Sequence, residues 1–386
     1  MLDAAACRHR VARLCARTVP RLDAFVISRP EHVYYFSRLL ADPNSLNLGS
    51  SHFLLILPNG STTLFTDNWL IPGQEPVADE IIVVEWYSGK EPAHHRPRAV
   101  SSRVASRIRS EGIRRIGAEA ASLPFSIARE VEDVVDVEDI IESLREIKDA
   151  DELDAIRRAI VVAEAVHAAS REVVVPGLTE IDGYAALLER ATRAAGRPFI
   201  MKCDFVSGDR AVSGGGPPSR KLLREGELVI LDFFPYVEGY RGDITNTLCI
   251  GGNPTPLQRE AFECVRAALE AGEAQLRPGA RAADVFRAMD GVLRNLGGRG
   301  TALAALQSIG DQGFGGLSHH GGHGLGLCHP EPPHIVPATD RTIEAGMVLT
   351  LEPGLYHGSF GGIRLEHDYF LTPGGFERLS THRLGL

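Results

Sequence analysis

The sequence predicts two domains: an α/β domain over residues 1–146 and an α+β domain over 147–386. Three observations carry this. Short apolar strand-like runs alternate with helical spacing through the first third of the chain. A polar run at Lys148–Glu152 then opens one long amphipathic pattern. Beyond it, helical stretches are interleaved with antiparallel-looking strand runs, without a regular βαβ rhythm. At 386 residues the chain is long enough for each domain to bury its own core.

The elements follow in order. Ala24–Ser28 is a short apolar strand, stopped by Arg29-Pro30. Phe53–Leu57 and Thr62–Phe65 flank Pro58-Asn59-Gly60, where Asn-Gly supplies the positive φ of a hairpin turn. Glu80–Trp86 is a further strand. Val104, Ile108 and Ile113 mark a helix over Val100–Ile113, and Arg115–Ala118 a strand after it. The segment Leu39–Ser51 and the run Phe65–Ile71 look too apolar for a free surface. In the second domain, acidic residues at the start of the long helix suit its dipole, and Pro176-Gly177 ends it. Thr179 with Asp182 resembles a capping box, and Thr255-Pro256 reads as an N-cap followed by proline at the first helical position. A fourth helix covers Ala282–Leu296, ended by Gly297-Gly298. Strands are expected at Leu228–Phe233, Ile244–Ile250, Met347–Leu351 and Ile363–Leu371.

Composition excludes several classes. With 44% hydrophobic and 24% charged residues, the chain is of globular type. A net charge of -9 leaves no basic excess to offset phosphate repulsion, so nucleic acid is not expected as a partner. The basic stretch Arg103–Arg115 is spaced as the solvated face of a helix. No apolar run approaches the roughly 18–20 residues that cross a bilayer, so no membrane partner is expected. The N-terminal residues carry Arg and His where a signal peptide needs an apolar core. The six cysteines form no CxxC pair, and a cytoplasmic location is the expectation.

The chemistry is concentrated in four segments. Ser318–His334 holds histidines at 319, 320, 323, 329 and 334, interleaved with Gly and Pro. Imidazole is the commonest metal ligand, and glycine lets backbone approach a ligand closely. Leu325 and Leu327 beside them read as buried, which argues against a surface metal-scavenging tract. In Leu228–Leu248, Asp232 ends an apolar run and Asp243 opens the next strand after a turn at Glu238-Gly239. Antiparallel pairing would bring both carboxylates to one place. Glu352 and Glu366 each sit in or at the end of an apolar strand. One such residue alone would be an ordinary edge-strand or turn carboxylate. Four carboxylates and a histidine in apolar surroundings are too much negative charge to bury without a cation. Oxygen-rich ligation with one nitrogen suits Mn, Fe, Co or Zn, and four carboxylates invite two bridged ions.

In the contexts LDFFPYVEGYRGDITNT, GHGLGLCHPEPP, LEPG and IRLEHD, the order Asp, Asp, His, Glu, Glu resembles the methionine aminopeptidase, Xaa-Pro aminopeptidase and prolidase family. The resemblance covers residues 150–386, including the entry run IKDADELDAIRRA. RPEHVYYFSRL is similar to the creatinase-type N-terminal domain. It implies an α+β "pita-bread" catalytic domain preceded by a smaller α/β creatinase-like domain. It also implies a homodimer in which the first domain helps to cover the partner's active site. The implied cofactor is two divalent ions per subunit, manganese foremost, with Co, Fe or Zn as alternatives. Asp232 would chelate one ion, Asp243 and Glu366 would bridge, and His323 and Glu352 would bind the second. The implied nucleophile is a hydroxide shared by the ions, with Glu352 also shuttling the proton. His329 matches a substrate-contacting histidine, although its step of six residues from His323 is one shorter than usual. His319 matches a further catalytic pocket histidine, Arg364 a substrate-holding group, and Thr245 a group that orients ligands.

Two departures bear on the substrate. Peptidases of this family usually carry His-Gly before the first metal strand, and here that stretch reads Ala211–Pro218, AVSGGGPP. His367 stands where an Asp often follows the bridging Glu. The expected substrate is a small Xaa-Pro peptide, cleaved by a dipeptidase or an aminopeptidase. The alternative is a non-peptide small molecule handled by an amide hydrolase or lyase of the same fold. If this is a peptidase, a histidine placed at Gly214 or Gly215 should be tolerated.

Overall fold

A computed structural model describes the chain except residues 18–20, 42–51, 72, 91, 93–94, 297–302, 304–305 and 307–314. The chain divides into two units, Met1–Arg145 and Glu146–Leu386.

The first unit is a mixed sheet with helices. Its elements are α1 (Ala4–Cys15), β1 (Ala24–Ile27), α2 (Pro30–Ser37), β2 (Phe53–Ile56), β3 (Thr62–Asp67), β4 (Glu80–Val84), α3 (Arg96–Glu111), β5 (Arg115–Ala118), α4 (Phe125–Ala128), β6 (Asp133–Asp136) and α5 (Glu138–Glu146). The strand order is β4-β3-β2-β1-β5-β6, with β1–β2 and β2–β3 antiparallel and the other pairs parallel. Val100, Val104 and Ile108 recur at helical spacing on α3 and pack against Val26, Leu55 and Phe65 of the sheet. Glu119 holds the start of α2, accepting from the Ser28 and Arg29 backbone nitrogens. Of the two apolar segments noted above, residues 42–51 lie outside the described residues. In the other, Phe65 is buried and Trp69 is exposed.

The second unit is built as two half-layers. In one, α6 (Ala150–Val173) and α7 (Glu180–Ala195) cover β7 (Ile200–Ser207), β8 (Leu228–Val237), β9 (Tyr240–Arg241) and β10 (Ile244–Cys249). In the other, α8 (Pro256–Glu273) and α9 (Ala282–Arg294) cover β11 (Val348–Leu351), β12 (Gly354–His357), β13 (Gly361–Arg364), β14 (His367–Thr372) and β15 (Gly375–Arg378). The strand orders are β10-β8-β7, β11-β14-β15 and β12-β13. The helix starts are those their sequences encode. Glu152 reaches back to the Asp149 nitrogen at 2.9 Å, Asp182 to Thr179 at 2.9 Å, and Gln258 to Thr255 at 2.7 Å.

Two strands differ from the sequence reading. β8 runs on to Val237 because β7 pairs with it as far as Tyr236 and β9 pairs Val237 with Tyr240. The single strand expected over Ile363–Leu371 is two, β13 and β14, parted at Leu365-Glu366. There the Glu366 nitrogen leaves its own hairpin and donates to Thr245 O of β10 at 3.0 Å. The break is set by this change of partner to β10, which the local sequence does not contain. The helix end expected at Gly297-Gly298 lies outside the described residues.

Candidate metal centre

The two half-layers meet at a cavity of about 290 Å³. Asp232 comes from the middle of β8, and register places it opposite Thr245 on one side and Asp204 on the other. Opposed residues in antiparallel strands share a face, so the three side chains form one row across the sheet. Asp243 precedes β10, on the same face as Thr245. Glu352 follows β11 and Glu366 separates β13 from β14.

His323 is positioned by backbone. Thr350 N donates to His323 O at 2.8 Å, and Leu325 N to Val348 O at 3.0 Å, which lays the segment along β11. Gly322 and Gly324 flank the ring because a Cβ at either would overlap a carbonyl oxygen, of Thr350 or of Pro332. The His323 Nδ1 donates to Gly324 O at 2.9 Å, which turns Nε2 inward. That Nε2 lies 3.4 Å from Asp243 Oδ2 and 3.5 Å from Glu352 Oε1.

All five residues named as metal ligands are brought together. Their ligand atoms fall into groups mutually within 4.8 Å: His323, Glu352 and Glu366; Asp232, Asp243 and Glu366; and Asp243, His323 and His329. Asp232, Asp243, His323, Glu352 and Glu366 are all buried. One oxygen of each carboxylate (Asp232 Oδ1, Asp243 Oδ1, Glu352 Oε1 and Glu366 Oε1) is buried with no hydrogen-bond partner. Such orphaned acceptors are costly unless something positive meets them. Two divalent ions fit this set: hard oxygen donors, one imidazole with its second nitrogen tied to a carbonyl, and Thr245 Oγ1 donating to Glu366 Oε2 at 2.6 Å.

Titration tendencies agree with that need. Burial pushes Glu366 well up, and the charges of Asp243 and Glu352 add to it. Burial also raises Asp232, although Arg364 opposes it. Burial would raise Asp243, but His329 and His323 outweigh it; burial would lower His323, but Asp243 and Glu352 outweigh it. Asp243 is lowered, and His323 is pushed up to about 9. The residues alone therefore cannot all stay ionised, and a proton on His323 partly does what a cation would do fully.

The remaining site residues separate. His329 lines the cavity, stacks on Phe234 at 4.5 Å and places Nε2 2.7 Å from Asp243 Oδ2. His319 lines it too, its Nδ1 2.7 Å from His320 O and its Nε2 2.8 Å from Tyr356 Oη. His320 Nδ1 lies 3.1 Å from Glu352 Oε1 without hydrogen-bond alignment. His334 is exposed and does not line the cavity. Arg364 is buried, and its contacts are to protein. It donates to Gly214 O at 2.6 Å, to Asp204 Oδ2 at 2.6 Å and to Asp232 Oδ2. The glycine run is thus a held wall. Gly214 has φ +87°, and a Cβ at Gly215 would overlap the Asp204 carboxylate. A histidine at Gly214 would take a strained backbone conformation, and one at Gly215 would have to displace the Asp204 carboxylate.

Sequence reasoning missed Asp204 and Phe234, which line the cavity, and Tyr356, which holds His319. For Asp204 the signal existed, since it is a carboxylate inside the strand IMKCDFVS, as Asp232 is inside its own. Phe234 and Tyr356 look like ordinary core aromatics in sequence.

The fold and the gathered carboxylate–histidine cluster define a metallopeptidase-type enzyme. The sequence pattern of metallopeptidase family M24 matches residues 154–373, and that of the creatinase/prolidase N-terminal domain matches 10–147. The chain belongs to family M24. It is 32% identical to the peptidase YqhT of Bacillus subtilis (strain 168), over 72% of this chain and 76% of that one. It is 30% identical to the Xaa-Pro dipeptidase of Pyrococcus horikoshii, over 70% and 74% of the two chains. Among solved structures, the prolidase of Pyrococcus horikoshii OT3 shares the fold at TM-score 0.78 and 24% identity, covering 98% of this chain and 99% of that one. The X-Pro aminopeptidase of Thermotoga maritima MSB8 does so at TM-score 0.76 and 24% identity, covering 94% and 97%.

Proposed function

We propose that this chain is a dinuclear-metal hydrolase of small Xaa-Pro peptides, a dipeptidase or an aminopeptidase. The observation that carries the reading is the set of four buried carboxylates, each with an orphaned oxygen, around an oriented His323. The names of its relatives supply the peptide class. Asp232 would hold one ion, His323 and Glu352 the other, with Asp243 and Glu366 shared between them. Manganese is the first choice for so oxygen-rich a set. When bound, the ions supply a water acidified toward neutrality and a polarised scissile carbonyl.

The chain's own residues do the rest. Glu352 takes and returns a proton at its carboxylate, beside His320. His329, braced flat on Phe234, contacts the scissile region. His319, fixed by Tyr356, faces the same cavity, and Arg364 holds the glycine wall against it. Thr245 fixes one oxygen of Glu366.

The active form would be a homodimer. Trp69, Trp86 and Tyr87 cluster with ring centroids 5.5–6.5 Å apart, and Trp69 and Tyr87 are more than half exposed, a patch that a second copy would cover. All six cysteines are free thiols, which suits a cytoplasmic setting. Among the described residues, no helix is long and apolar enough to cross a membrane.

The test is a panel of Xaa-Pro dipeptides, longer Xaa-Pro peptides and non-peptide amides, assayed with metal supplied. Cleavage of any Xaa-Pro peptide supports the reading. A second reading, an amide hydrolase or lyase acting on a non-peptide molecule, is favoured by the glycine wall that carries no imidazole. Turnover confined to non-peptide compounds would establish it.

A further inference from the structure

The glycine wall has its own chemistry, and it centres on Asp204. This side chain stands on β7 directly opposite Asp232 and lines the cavity with 28% of its side chain exposed. Its Oδ1 accepts from the Gly216 nitrogen at 2.8 Å and its Oδ2 from Arg364 Nη2 at 2.6 Å. A carboxylate offers about four acceptor sites, so two of them remain for a ligand. The Cβ position of Gly215 is already filled by this carboxylate, so no side chain can come between Asp204 and the cavity.

Arg364 is correspondingly occupied. Nη2 is shared by Asp204 and Asp232, and Nη1 goes to Gly214 O. Its Nε is fully buried. The Arg364 donors nearest the glycine wall are thus met by Asp204, Asp232 and Gly214 O, and the neighbouring Arg210 guanidinium is held by Glu180 and Pro217 O, so the carboxylate of Asp204 is the charge this wall offers to the cavity.

We propose that Asp204 is a specificity-determining residue: it receives an ammonium or N–H group of the substrate and, by occupying Arg364, makes this wall reject a substrate carboxylate. The inference rests on the peptidase reading and narrows it. The favoured substrates are those whose group at this wall is a peptide N–H, an amide or an amine, as in Xaa-Pro peptides longer than two residues. A free dipeptide, with its carboxylate close to the scissile bond, is disfavoured. Removing the Asp204 charge does two things at once: it weakens the acceptor and loosens the Arg364 N–H that the carboxylate holds.

The experiment measures binding and turnover separately on the metal-loaded full chain, for wild type, Asp204→Asn and Asp204→Ser. Calorimetry uses proline and prolinamide, which differ only in carboxylate against carboxamide. Turnover uses glycyl-proline and glycyl-prolinamide. Wild type should favour the amide member of each pair, and both variants should shift that ratio toward the carboxylate by about ten-fold or more, the scale of one charged hydrogen bond. Metal content and melting temperature show that the variants are folded and loaded. An unchanged ratio in both variants, a wild-type preference for the carboxylate member, or no binding of either compound to wild type would overturn the role of Asp204. If wild type cleaves an Xaa-Pro peptide while the ratio stays fixed, only this inference fails. If the binding ratio shifts but no Xaa-Pro peptide is cleaved, the peptidase reading fails instead.

Discussion

At His323 the ring is oriented by its own neighbour. Nδ1 is spent on the Gly324 carbonyl, so Nε2 is the only nitrogen left to meet Asp243 and Glu352. His329 is placed differently: half-buried, stacked on Phe234 and hydrogen-bonded at Nε2 to Asp243 Oδ2. Its stacking suits contact with a substrate. His329→Ala should therefore keep its metal by elemental analysis and lose about 10²–10⁴-fold in kcat, the usual worth of a positioned proton-transfer or binding group. Loss of metal in that variant would assign His329 to the ligand set with Asp243 and His323. The four carboxylates were legible in sequence because they set charge in or at the ends of apolar strands, which physics does not tolerate unpaired, and His323 because it lies among five closely spaced histidines. Asp204 obeys the same rule. Lys202 interrupts its strand pattern, so neither the strand nor the residue stood out. The held state of Arg364 was not legible at all, since it depends on a carboxylate and a carbonyl far away in the chain.

Among the elements, capped helices were the most readable and strand ends the least. Thr179-Asp182 and Thr255-Gln258 are local devices whose partners lie three residues apart, so local sequence contains them whole. The split between β13 and β14 depends on a bond to β10, and no local pattern holds it. The segment 380–386 is another non-local device. Gly385 N and O pair with the Asn246 side chain at 3.1 Å each, and Arg171 donates to Gly385 O and Leu386 O. His382 reaches Thr245 O at 3.2 Å and stacks near His167 and His367. Burial lowers its pKa to about 4, with Arg378 acting in the same sense and Thr245 O and Glu164 against it. A depressed histidine contributes stability that is present above its unfolded pKa and lost as pH falls toward the folded value. Between about pH 7 and pH 5, His382 should thus account for about 2 kcal/mol of lost stability. Denaturant melts of wild type and His382→Phe at both pH values check this: the variant should lose less on acidification. An equal loss in both would show that His382 is protonated in the folded chain.

For the whole molecule, both parts have the fold that sequence implied, and the catalytic half is the better marked because its chemistry is confined to four segments. The surface was less legible. The aromatic patch at Trp69, Trp86 and Tyr87 forms only when the residues after β3 and β4 are brought side by side. Light scattering at micromolar concentration should give twice the chain mass, and Trp69→Ser with Tyr87→Ser should shift it toward monomer. A wild-type monomer would contradict the dimer. Whether four buried carboxylates and His323 hold two ions is decided by one titration. Protein stripped with chelator is reloaded stepwise with manganese while bound metal and Xaa-Pro cleavage are followed together. Cleavage should vanish with the metal and return as binding saturates near about two ions per chain, and Asp232→Ala and Glu366→Ala should bind less and stay inactive. Full cleavage by thoroughly stripped protein, or undiminished metal binding in both variants, would contradict the account.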